Sequence, residues 1–108
     1  MITFKTYARA IGIIILLFLS NSVQALDGAV LYVERTCIAC HGPEGRVPVL
    51  PEYPKLAGQK APYMVAQMKD IKSGSRSNSH AVAMKNVMHL INDEEMAAVA
   101  EWLASLPD

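Results

Sequence analysis

Two thiols and an imidazole fall within five residues, Cys37-Ile38-Ala39-Cys40-His41. In this C-x-x-C-H pattern, thiols three positions apart at a helix end reach two vinyl groups on neighbouring edges of one porphyrin and form thioethers. The adjacent histidine then faces the iron and donates its imidazole as the proximal ligand. Two other chemistries use the same residue types. A thiol–disulfide redox pair needs a lowered thiolate pKa and belongs at a strand-to-helix junction, and this chain shows no strand pattern. A zinc site would draw on Cys37, Cys40 and His41, but adjacent Cys and His ligands are awkward around one tetrahedral ion. The preferred reading is one covalent haem c per chain, anchored at Cys37 and Cys40, with iron held by His41.

Attachment of this kind takes place outside the cytoplasm, and the first 25 residues carry a matching address. Lys5 and Arg9 precede an apolar run, Ala10 to Leu19, and Val23-Gln24-Ala25 offers a small-residue cleavage site. The run is about half of the roughly 20 residues that a membrane span requires. A cleaved secretory signal is expected over 1–25 and a single domain over 26–108. The product is then periplasmic, with no stable membrane insertion after cleavage.

That division changes the composition. The whole chain of 108 residues is 52% apolar and carries ten basic and ten acidic side chains. Such a balance excludes a disordered chain and offers no basic excess for nucleic acid. Without the leader, 83 residues remain, with eight basic and ten acidic side chains and no phenylalanine. The aromatic side chains left are Tyr32, Tyr53, Tyr63 and Trp102. A domain this small usually needs a staple, and a flat apolar prosthetic group would fill its centre.

The elements around the motif read as helices. Leu26 to Thr36 predicts a short one, with Asp27 as N-cap and Val30, Tyr32 and Val33 on its apolar side. Gly42 to Gln59 holds four of the six prolines and must be a long loop. Pro62 suits the first turn of a helix to about Lys72, with Tyr63, Val65, Ala66, Met68 and Ile71 as its apolar members. Ser73 to Ser79 is polar and small, and Ala81 to Ile91 gives mixed signals, read as irregular. The last helix is the clearest: Asn92 caps it and Glu95 completes a capping box. Met96, Val99, Ala100, Leu103 and Leu106 form its stripe beside Trp102, and Pro107 ends it. The domain is predicted to be all-α.

On these residues the chain resembles the small class I cytochromes c of bacteria. The likeness covers the mature chain. It rests on Cys37 to Gly42, on Pro54-Lys55-Leu56-Ala57-Gly58-Gln59, on Lys72-Ser73-Gly74-Ser75-Arg76, and on Asn92 to Met96 leading into Trp102-Leu103-Ala104-Ser105-Leu106. The second and third segments look most like one domain of the dihaem cytochromes c. The resemblance implies a cytochrome c fold whose terminal helices cross around the haem, with Gly28 and Tyr32 meeting Val99 and Trp102. It also implies that the Pro54 carbonyl takes the free ring proton of His41 and that Arg76, Gln59 and Tyr63 lie near the propionates. In the family a methionine eight positions before the cap of the last helix completes the iron, which here is Met84. Met88 is second choice, and His80 and His89 are the imidazole competitors. Met64, Met68 and Met96 read as core.

With both axial positions filled by protein, the expected function is periplasmic one-electron transfer. The chain would act as a soluble carrier or as the cytochrome subunit of a dehydrogenase, not as an enzyme itself. Its partners would be periplasmic redox proteins: a dehydrogenase, oxidase or reductase. The mildly acidic charge argues against a strongly basic docking face, and Lys55, Lys60, Lys69 and Lys72 read as a solvated surface. A haem-based sensor with an open iron position is the alternative, and a haem-free thiol–disulfide oxidoreductase a further one.

Overall fold

The computed structural model describes residues 25–108, so the expected leader lies outside the described residues except for its last position. Five α-helices run in order: α1 (Gly28–Glu34), α2 (Cys37–His41), α3 (Ala61–Ser73), α4 (Ala81–Met88) and α5 (Asp93–Ser105). A single 3-10 turn occupies Pro43–Gly45, and no strand occurs among the described residues. The all-α expectation holds.

Asp27 caps α1 through its Oδ1, which accepts from the Ala29 and Val30 amides at 3.0 and 3.2 Å. Such a cap contributes about 1 kcal/mol. Its buried face is Gly28, Leu31 and Tyr32, spaced i, i+3, i+4. Val30 and Val33, expected inside, fall on the far arc of the helical turn and are about half exposed. At Thr36 the backbone enters the left-handed region (φ 65°), and the chain restarts as α2. The two cysteines therefore ride on a short helix of their own.

The terminal helices cross as the family resemblance implied. A Cβ on Gly28 would press into the Ala98 carbonyl and lie 2.7 Å from Trp102 Cβ, so only glycine lets α1 approach α5 this closely. Tyr32 and Trp102 meet with ring centroids 5.2 Å apart and planes tilted by 52°. Gly28 thus rests on Ala98 and Trp102. The capping box of α5 is complete: Asn92 Oδ1 accepts from the Glu95 amide at 2.8 Å, and Glu95 Oε1 accepts from the Asn92 amide at 3.1 Å. The other Glu95 oxygen receives Arg35, just beyond α1, so the cap of the last helix also ties down the first.

α3 has Pro62 in its first turn and buries Met64, Met68 and Ile71. Ala66 faces outward instead of inward, and Tyr63 is more than half exposed. α4 is the larger correction. Ala81 to Met88 is a regular helix, not an irregular stretch, because it lacks Gly and Pro and its two fully buried residues, Ala81 and Met88, bracket half-buried Met84 and Val87. Lys72 Nζ donates to the Ile91 carbonyl at 2.8 Å, holding the α4–α5 turn against α3. The proline-rich loop is anchored by backbone bonds: Val49 to Cys40 at 3.0 Å, Leu56 to Gly45 at 2.8 Å and Gly58 to Leu103 at 2.9 Å.

Candidate haem site

Gly42 ends α2 with φ 78°, and a Cβ there would collide with the Val47 carbonyl. Tyr32 Oη donates to the Gly42 carbonyl, joining α1 to the end of the motif helix. His41 is buried, with Nδ1 2.9 Å from the Pro54 carbonyl oxygen. A carbonyl can only accept, so Nδ1 carries the proton and the free lone pair is on Nε2. Burial pushes the imidazole below its ordinary pKa, and the bond to Pro54 opposes that only in part. Burial thus favours the neutral ring that metal binding requires.

Cys37 is half-buried and Cys40 is exposed. Burial pushes the Cys37 thiol up to about 11; its own backbone amide pulls it down and neighbouring Cys40 raises it further. This is the opposite of the lowered pKa that a thiol–disulfide catalyst needs.

α2 and the proline-rich loop form part of the lining of a cleft of about 1280 Å³, counting its open mouth. α3 and α4 supply most of the rest. The cleft brings together Cys37, Cys40, His41, Met84 and Met88. Met84 and Met88 lie one turn apart on α4; Met84 is half-buried, whereas Met88 is 1% exposed and packed into the core. Met64 and Met68 are core residues, as expected, but they also line the cleft, while Met96 does not. Gln59, Tyr63 and Arg76 line it too. Gln59 Nε2 is turned to the Lys55 carbonyl.

His80 stands at the cleft and is not simply solvated: its ring meets Tyr53 edge-on, centroids 5.2 Å apart at 88°. That contact joins the loop carrying Pro54 to the start of the helix carrying Met84. His89 is exposed at the C-cap of α4 and does not line the cleft. Sequence reasoning missed Tyr53 and Gln67 as lining residues. Gln67 was legible in principle, since it lies three positions after Met64 on the same helical face. A shallower dip between α3 and α5, bounded by Lys69 and Glu101, holds neither thiol nor imidazole.

The family model described as "Cytochrome c" matches residues 25–107. The chain belongs to the cytochrome c family. It is 46% identical over 71 residues to the thiosulfate dehydrogenase electron acceptor of Thiomonas intermedia (strain K12), covering 66% of this chain and 32% of that protein. Cytochrome c-553 of Nitratidesulfovibrio vulgaris (strain DSM 19637 / Miyazaki F) is 32% identical over 86 residues, covering 80% of this chain and 82% of its own. The crystal structure of reduced recombinant cytochrome c4 from Pseudomonas stutzeri superposes with a TM-score of 0.62 at 26% identity, covering 80% of this chain and 53% of that one. The chain thus spans about a third of the length of the Thiomonas relative. Membership of the cytochrome c family implies covalently bound haem c and haem-based electron transfer. The cleft suits that group: thiols and a neutral imidazole on one helix, thioethers across α3 and α4, and apolar walls with one arginine.

Proposed function

We propose that this cytochrome c is an exported, monohaem one-electron carrier of the periplasm. In this reading Cys37 and Cys40 form the thioether links, His41 Nε2 is the proximal iron ligand and Met84 sulfur the distal one. The observation that carries it is the His41–Pro54 hydrogen bond, which holds the imidazole with Nε2 free beside both cysteines in a cleft that also holds Met84. Bound haem supplies a single-electron change of oxidation state at iron.

Each residue has a physical task. The thioether links fix one edge of the group against α2. Pro54 orients the His41 ring, and the soft neutral thioether of Met84 favours the reduced metal. Arg76 sits at the cleft as counter-charge for the cofactor's carboxylates. Met64, Met68, Ile71 and Leu103 keep water from the apolar walls. With His41 and Met84 both holding the iron, no position would be left open for substrate.

Electrons would leave through the edge at Cys40, which is exposed beside Val47, Val49 and Leu50. A periplasmic dehydrogenase, oxidase or reductase is the partner class. Two relatives named thiosulfate dehydrogenase electron acceptor favour a dehydrogenase as donor. No helix among the described residues is long and apolar enough to cross a membrane.

Optical spectra of the protein purified from the periplasm test the reading. A c-type α-band on reduction, with a methionine-to-iron band near the red end when oxidised, is the expected result. Rapid carbon monoxide binding to the reduced protein would show an open iron position and replace the carrier with a sensor.

A further inference from the structure

Three arginines lie among the described residues, and two have carboxylate partners: Arg35 with Glu95, and Arg46 with Glu44 at 3.7 Å. Arg76 has none within ion-pair distance among those residues. It is half-buried, it lines the cleft, and its Nη1 donates to Gln67 Oε1 at 3.0 Å. Its backbone is fixed as well, since the Arg76 amide donates to the Asp70 carbonyl at 3.0 Å just past the end of α3.

The choice of acceptor matters. A glutamate at position 67 would hold the guanidinium equally well but cancel its charge. An amide holds it and leaves the full positive charge facing the cleft. Half-buried charge is screened less than surface charge, so its field reaches the cofactor. A fixed cation there disfavours the oxidised form, which carries one more positive charge, and raises the reduction potential.

We infer that Gln67 is a positioning residue that sets the reduction potential by holding Arg76 without neutralising it. The inference rests on the reading that Arg76 faces the haem. Gln67 lies on the cleft face of α3, between the core methionines Met64 and Met68.

The test is redox titration of the purified holoprotein, followed at the α-band, in a double-mutant cycle. At the wild-type midpoint, Arg76→Gln lowers the reduced-to-oxidised ratio about three- to tenfold. Gln67→Met keeps the side-chain length but removes the acceptor. It lowers the ratio about threefold in the wild-type background and leaves it unchanged in the Arg76→Gln background. Gln67→Glu, which forms the neutral pair, also lowers it.

Equal shifts from Gln67→Met in both backgrounds overturn the inference, as does no shift from Gln67→Glu. If Arg76→Gln itself leaves the ratio unmoved, the placement of Arg76 toward the haem fails instead. Retention of the α-band and the methionine-to-iron band in each variant confirms that the site is intact. Should Gln67→Met fail to mature, Gln67→Leu, which also removes the acceptor and adds no charge, decides the matter in the same two backgrounds.

Discussion

His41 donates its Nδ1 proton to the Pro54 carbonyl oxygen over 2.9 Å, so a loop residue thirteen positions away dictates which ring nitrogen of the motif is free. The bond does more than orient. It passes electron density to the ring and makes Nε2 a stronger donor, which favours oxidised iron. The ring of Pro54 fixes φ, one of the two backbone angles that aim its carbonyl. Pro54→Gly is expected to loosen the bond and raise the midpoint potential, measured by redox titration. It should also destabilise the fold by roughly 1 kcal/mol through the more flexible unfolded chain, read from the urea midpoint.

Met84 and Met88 separate by what each loses. Met84→Ala should abolish the methionine-to-iron band near the red end of the oxidised spectrum. Met88→Ala should keep that band and cost about 2–5 kcal/mol of stability, because its side chain fills the core. The reverse pattern would move the ligand to Met88.

The contact of Gly28 with Ala98 and Trp102 leaves no space for a side chain. Gly28→Val should push α1 off α5 and destabilise by about 1–3 kcal/mol or more. A shift in the urea midpoint of the holoprotein measures this, and the Tyr32–Trp102 pair gives a fluorescence signal for the separation.

Glu95 makes stability depend on acid. The Asn92 amide, then the Arg35 bond, hold its carboxyl below the usual range, with partial burial opposing them. Its folded pKa is therefore lower than its unfolded one, and the unfolded chain binds more protons in acid. The stabilisation is present above the unfolded carboxylate pKa and is lost as pH falls through the folded value. Urea midpoints measured from neutral pH downward should fall in the acid range, and Glu95→Gln should flatten that fall.

The sequence was most legible where local chemistry acts alone. Asn92 and Glu95 announced α5 because a capping box needs only residues three apart, and Asp27 announced α1 for the same reason. The motif residues and Pro54 were legible through their spacing and the family likeness. The misreadings lie where packing decides. Val30, Val33 and Ala66 are apolar, yet each sits on the outward arc of its helix. Exposed Val82 and Leu90 blurred the stripe of α4, so a regular helix read as irregular. Arg76 was expected at the haem, but its pairing with Gln67 depends on how the turn after α3 folds back, which no local pattern encodes.

The crossing of α1 and α5 also sets the timing of assembly. Gly28 finds its place only against Ala98 and Trp102, so about seventy residues must emerge before the first helix has its partner. A contact of such long range forms late and slowly. Until Trp102 has been made, α1 lacks the surface on which it packs.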